Sequence, residues 1–101
     1  MEKIFVVGAG LSGATIARLF AESGYDVTVI DRRTTIGGNA YDCVDKNGIM
    51  IQPYGPHIFH TDEERVFEFL SRFTEWYEYK HQVMAYIKGK TVSLPINIPS
   101  L

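Results

Sequence analysis

Three groups of residues in this sequence have types and spacings that could do chemistry. The first is Gly8-Ala9-Gly10-Leu11-Ser12-Gly13. Glycines at this spacing permit a tight turn at Gly8, close approach of a pyrophosphate at Gly10, and close helix packing at Gly13. The second is Asp31, about 20 residues further on, where a carboxylate can accept hydrogen bonds from both hydroxyls of a ribose. The third is Pro53-Tyr54-Gly55-Pro56-His57-Ile58-Phe59-His60, with two imidazoles and two aromatic rings in a short span. The prolines bar regular helix there. Two readings of that loop stand: a turn held by aromatic packing, or a rigid loop presenting imidazoles to a ligand. No Cys/His cluster has metal-ligand spacing, and Asp62 beside the two histidines makes a poor third ligand.

These residues need elements to position them. Residues 4–7 form a continuous apolar run with β-branched and aromatic members, which predicts a buried parallel strand. The helix that follows carries Ile16, Leu19 and Phe20 at helical spacing, predicted to face the sheet, with Ala14, Ala17 and Ala21 allowing close approach. Ser12 can cap this helix or donate its hydroxyl to a phosphate, and the two roles are compatible. Gly24 is placed to end the helix. Residues 27–30 predict a second buried strand, ending at Asp31. Strand, glycine turn, helix, strand and acid therefore fall in the order a dinucleotide site requires, and the helix N-terminus adds unpaired N–H groups for phosphates.

Beyond Asp31 the sequence departs from a nicotinamide dehydrogenase, which enters a crossover helix soon after the ribose acid. Here Gly37-Gly38 marks a loop instead, as in FAD enzymes that lay a long cofactor across several loops. Arg32 and Arg33 are open to two readings, a solvated loop or a cofactor contact. A pocket for the 2′-phosphate of NADP is disfavoured, because Asp31 would repel it. Asp45-Lys46-Asn47-Gly48 is a hairpin turn signal, and residues 49–52 read as a short strand. Thr61 with Glu64 predicts a capping box for a helix over residues 62–73. Val66, Phe67, Phe69, Leu70 and Phe73 on it read as core. Residues 83–87 and 91–94 predict a hairpin turning through Lys88-Gly89-Lys90, and Leu94-Pro95-Ile96-Asn97 ends it.

Composition narrows the class further. Of 101 residues, 46% are hydrophobic and 22% charged, which suits one small globular domain rather than a disordered or membrane chain. A net charge of −2 gives no electrostatic footprint for nucleic acid or a membrane surface. The single Cys43 excludes an internal disulfide and reads as a plain free thiol. The apolar stretch of residues 4–21 is broken by the glycine turn and Arg18, so it is not a transmembrane span. Glu2 and Lys3 run straight into a strand, unlike a signal peptide, and cytoplasmic location is the default expectation. A doubly wound domain needs more strands than this length supplies. The chain is therefore expected to be the N-terminal piece of a larger protein.

Four stretches together resemble the N-terminal part of bacterial UDP-galactopyranose mutases. They are Gly8 to Gly13, Ile36-Gly37-Gly38-Asn39-Ala40-Tyr41-Asp42, Tyr54-Gly55-Pro56-His57-Ile58-Phe59-His60-Thr61, and Val92-Ser93-Leu94-Pro95-Ile96-Asn97. The first is shared by many flavoproteins, and the third is far more specific. The resemblance implies an α/β fold: a Rossmann-like βαβ FAD-binding unit with an added β-hairpin, beginning at about residues 76–97, within a larger doubly wound flavoprotein. It implies an isomerase that interconverts UDP-galactopyranose and UDP-galactofuranose, with reduced FAD as nucleophile at the anomeric carbon. UDP-galactose is the implied partner, as a small-molecule substrate. A homo-oligomer of the full-length protein is compatible with the sequence, and this stretch alone is expected to be inactive.

By position, the resemblance implies that Gly8, Gly10, Ser12 and Gly13 hold the FAD pyrophosphate, and that Asp31 with Arg32 holds the adenosine end. Gly38 and Asn39 are implied as further FAD contacts. His57 and Ile58 are implied to lie against the isoalloxazine, with His60 close by, and His57 and His60 to support catalysis. His81 stands where relatives often carry an Asn that touches substrate, so it reads either as a UDP-sugar contact or as a surface strand residue. Competing readings are an amine-oxidase-like FAD oxidoreductase, an NAD(P)-dependent dehydrogenase, and a non-catalytic nucleotide-binding fragment.

Overall fold

The computed structural model describes residues 1–80 and 82–94, and divides the chain into two units, Met1–His57 and Ile58–Leu101. In the first unit, β1 (Lys3–Val7) leads through the glycine turn into α1 (Leu11–Glu22), and α1 leads into β2 (Asp26–Ile30). The two strands pair in parallel, in register from Lys3↔Asp26 to Val7↔Ile30. The ladder runs one residue further, as Gly8 N–H donates to Ile30 O at 2.7 Å. The turn therefore opens at the strand ends, beside Asp31.

Two expectations about packing are corrected here. The α1 side chain that becomes buried is Ala17, while Ile16, Leu19 and Phe20 stay 48%, 48% and 38% exposed. The cause is how closely the helix seats. A methyl group on Gly13 would run into the Gly8 carbonyl oxygen and reach Val6. A small-residue seam at Gly13 and Ala17 lets backbones meet, and the bulky residues flank it. The strands, expected to be buried, are covered on one face only. Ile4 and Val6 are half-buried, whereas Phe5 is 66% and Val7 81% exposed. Among the described residues the core of this unit is correspondingly small, centred on Ala9 and Ala17.

The end of α1 follows its local chemistry. Gly24 adopts φ +92°, its N–H donates to Ala21 O, and the next N–H, of Tyr25, donates to Phe20 O, both at 3.1 Å. This is a Schellman motif, completed by edge-to-face contact of Phe20 and Tyr25 at 5.3 Å. The start of α1 differs from expectation. Its N-cap is Gly10, with no side-chain cap, and Ser12 already lies inside the first turn. The glycine turn delivers the chain into helix too early for Ser12 to flank it.

After a 3-10 turn at Gly38–Ala40, β3 (Cys43–Val44) pairs antiparallel with β4 (Met50–Ile51). The Asp45 carboxylate closes the loop by accepting from Asn47 N–H at 2.8 Å and Ile49 N–H at 2.9 Å.

In the second unit, α2 spans Glu64–Leu70, shorter than the expected residues 62–73. Thr61 does not cap it: its hydroxyl accepts from Glu63 N–H at 3.0 Å, a local turn that delays helix entry, and the N-cap is Glu63. The expected core residues of this helix are not buried either. Phe67 instead stacks on Trp76, which also stacks on Phe59, with centroids at 5.1 and 4.9 Å. Trp76 is anchored by its indole N–H to Ser71 Oγ at 2.7 Å, and Ser71 donates to Phe67 O at 2.6 Å. Two antiparallel strands follow, β5 (Val83–Ile87) and β6 (Lys90–Leu94). Their two-residue loop has φ +49° at Lys88 and +76° at Gly89, the twist of a type I′ turn. His81 and residues 95–97 lie outside the described residues.

Candidate functional site

The glycine turn and the end of β2 form one wall of a cleft of about 300 Å³, lined by Val7, Gly8, Asp31, Arg32, Arg33 and Gly38. Asp31 is its organising residue. Oδ2 accepts from Ala9 N–H at 2.8 Å, and Oδ1 accepts from Arg33 N–H at 2.6 Å. These two bonds, first from Ala9 and then from Arg33, hold the carboxyl below its ordinary pKa of 3.8, and the guanidinium groups of Arg33 and Arg32 add to them. The carboxylate straps the turn to β2. An ionised carboxylate offers about four lone-pair sites, so two bonds leave capacity for a ribose.

The Gly37-Gly38 loop closes on the same turn. Gly37 N–H donates to Ala9 O at 2.7 Å. A methyl group on Gly38 would lie 3.0 Å from the Gly10 Cα, and Gly38 has φ +61°. Among the described residues, chain neighbours apart, such a methyl group at Gly10 would have only the Gly38 Cα near it, at 3.8 Å, and at Gly8 nothing would stand within 4 Å. The turn is open in front, and among the described residues no side chain caps the N-terminus of α1. Free N–H groups, a positive helix end and an open glycine cradle fit a phosphate-bearing cofactor.

The expected residues Gly8, Gly10, Gly13, Asp31, Arg32 and Gly38 are thus gathered at this turn and cleft. Asn39 adjoins it through Arg33, whose Nη1 donates to Asn39 Oδ1 at 3.0 Å. The Arg33 guanidinium also lies 4.1 Å over the Tyr54 ring. Arg33 thus stays exposed, but its guanidinium is held between Asn39 and Tyr54. Only its place beside Asp31 hinted at this.

His57 is held on every side. Its peptide N–H donates to Gln52 Oε1 at 3.2 Å, and its peptide oxygen accepts from Gln52 Nε2 at 3.1 Å. Its Nδ1 lies 3.2 Å from Gly55 O, and its Nε2 lies 3.1 Å from Asp42 Oδ1. What His57 can offer a ligand is a ring face rather than a free nitrogen. Neither Gln52 nor Asp42 was found from sequence, because nothing in their local spacing marks them. Nearby, the Cys43 thiol and partial burial push the Tyr41 phenol up, so it stays a neutral hydroxyl.

In the second unit, His60 lines a cavity of about 410 Å³ with Phe59, Thr61, Phe67, Trp76, Tyr77 and Glu78. Among the described residues its imidazole has no hydrogen-bond partner, in contrast to His57. Ile58 is 54% exposed. Among the described residues no group of three or more His, Cys, Asp or Glu could hold a metal ion, and no helix is long and apolar enough to cross a membrane.

Comparison with known proteins places residues 6–73 in a family model described as an NAD(P)-binding Rossmann-like domain. A probable UDP-galactopyranose mutase of Klebsiella pneumoniae is 48% identical over 99% of this chain and 26% of its own length. A dTDP-fucopyranose mutase of Escherichia coli is 47% identical over 100% of this chain and 27% of its own. A flavin-containing amine oxidase A of Canis lupus familiaris is 32% identical over 90% of this chain and 18% of its own. The chain spans about a quarter of the length of the two mutases it matches.

Proposed function

This chain belongs to the NAD(P)-binding Rossmann-like domain family, and from that premise we propose that it is the N-terminal, cofactor-binding part of an FAD-dependent UDP-galactopyranose mutase. The observation that carries the reading is similarity to sugar-nucleotide mutases along essentially the whole chain, well above that to the amine oxidase. The open glycine turn, with a second glycine loop laid against it, supplies the fit to a long dinucleotide. Reduced FAD supplies an electron-rich nucleophile that lets a glycosidic C–O bond break and re-form without net redox change. The substrate is UDP-galactose in its two ring sizes, and the protein works in the cytoplasm.

The residues divide the work. The first-turn N–H groups of α1, with Gly8, Gly10 and Ser12, hold the pyrophosphate. Asp31 accepts from the adenosine ribose and Arg32 flanks it. Its depressed pKa keeps Asp31 ionised across the neutral range, so this grip is insensitive to pH there. Asn39 adds a polar contact. His57 is assigned to the flavin, where it packs by its ring face, and Ile58 is a further flavin contact. His60, with nitrogens available in an aromatic cavity, is assigned to catalysis.

The reading is tested by denaturing the purified full-length protein and identifying what it releases. Stoichiometric FAD is expected. A colourless nicotinamide dinucleotide instead would overturn the reading. The dTDP-fucopyranose mutase relative favours a second reading, in which the substrate is a dTDP-sugar. Supplying both sugar nucleotides to the reduced enzyme distinguishes the two.

A further inference from the structure

Arg33 takes part in three interactions at once. Its backbone N–H donates to Asp31 Oδ1 at 2.6 Å. Its Nη1 donates to Asn39 Oδ1 at 3.0 Å. Its Cζ lies 4.1 Å from the centroid of the Tyr54 ring. One residue thereby joins three segments: its backbone meets Asp31 after β2, and its side chain links the Gly38–Ala40 turn to the loop that carries Tyr54.

The chemistry of the middle contact is one-sided. A guanidinium has five N–H donors and no acceptor. Asn39 can meet it only with its amide oxygen. The NH2 group, on the other branch of the same planar amide, is then turned away from Arg33. An amide left alone flips between these two states, and its direction cannot be read from shape. Here the donor-only partner decides it. The Tyr54 ring beneath the guanidinium keeps that partner in place, as stacking does for Arg and not for Lys.

We propose that Arg33 is a positioning residue that fixes Asn39 as a hydrogen-bond donor, so that Asn39 reads an acceptor oxygen of FAD. The inference rests on the proposed FAD contact at Asn39 and deepens it by assigning its direction. It also gives Tyr54 a role outside the flavin contact, as the platform for Arg33.

Asn39→Asp separates this from a merely structural role. Aspartate keeps an oxygen for Arg33 and nearly the same shape, but has no N–H to give. FAD is titrated into cofactor-free full-length protein, with binding read from flavin fluorescence. Asn39→Asp is expected to weaken FAD binding by about tenfold or more, and by more than Asn39→Ala, because it faces an acceptor with an acceptor. Its melting temperature without FAD should match or exceed that of the parent, since the Arg33 contact is kept. Arg33→Leu should weaken FAD several-fold, and Arg33→Lys should not restore it. In the Asn39→Ala background, Arg33→Leu should add little, since the two side chains act as one unit.

Parent-like FAD binding by Asn39→Asp, or simple additivity of the Arg33 and Asn39 substitutions, overturns the inference. Gly10→Val serves as the control. If it loses FAD while Asn39→Asp retains it, the cleft reading stands and only this inference falls. If Gly10→Val itself retains FAD, the cleft reading falls and this inference falls with it.

Discussion

Replacing Gly10 with valine is expected to weaken FAD binding by the full-length protein by roughly 100-fold and to leave it folded. The backbone at Gly10 has φ −75° and ψ −173°, an extended conformation open to any residue. Among the described residues, its two chain neighbours apart, a methyl group there would meet nothing nearer than the Gly38 Cα, at 3.8 Å. The fold can therefore accept a side chain at this position. The proposed cofactor could not, because the added atoms would stand in front of the first N–H groups of α1, where its pyrophosphate would have to come close. Forcing such an overlap costs about 1–3 kcal/mol or more, and lost phosphate hydrogen bonds add to it. Gly13 makes the contrast, since a methyl group there would strike the Gly8 carbonyl and disturb the fold itself. Flavin absorbance per protein and a melting curve read the two effects separately. A Gly10→Val protein that purifies with stoichiometric flavin would show that this turn is not the phosphate site.

In the full-length protein, replacing His60 with alanine is expected to leave FAD bound and to lower turnover of UDP-galactofuranose by about 100-fold, the range for loss of a positioned catalytic group. The two histidines of the loop look equivalent in sequence but not in structure. His57 has both ring nitrogens beside acceptors and both peptide groups tied to Gln52. His60 has a free imidazole among the described residues and lines a cavity walled by Phe59, Phe67, Trp76 and Tyr77. An exposed imidazole with no protein partner among the described residues is available to a substrate or to an anionic cofactor. Activity of the parent should withstand chelators. Parent-like turnover in His60→Ala would return His60 to a packing role, and loss of parent activity on chelation would bring back a metal reading.

The sequence was most legible where neighbours along the chain settle the outcome. The βαβ order, the Gly24 motif, the Asn47-Gly48 turn and the hairpin through Lys88-Gly89 all depend on local backbone chemistry. Caps were less legible. Ser12 and Thr61 are good capping residues, yet the glycine turn before Ser12 and the local turn that Thr61 makes with Glu63 set where each helix starts. The buried side of α1 was misread because Ile16, Leu19 and Phe20 carry the apolar signal, while contact is made through Gly13 and Ala17. At the site, the gathering of Gly8, Gly38 and Asp31 was readable because the strand–turn–helix–strand order fixes where the turn and the end of β2 meet. Gln52, Asp42 and the Arg33–Asn39–Tyr54 group were not, because they join loops whose separation no periodicity encodes.

The most direct measurement of the central claim is conversion of UDP-galactofuranose to UDP-galactopyranose by the purified full-length protein, followed by chromatography, with its flavin either oxidised or chemically reduced. Conversion is expected to appear on reduction, to be absent or far slower in the oxidised form, and to proceed without net consumption of reductant. A flavin-loaded, fully reduced protein that leaves UDP-galactofuranose unchanged would contradict that claim.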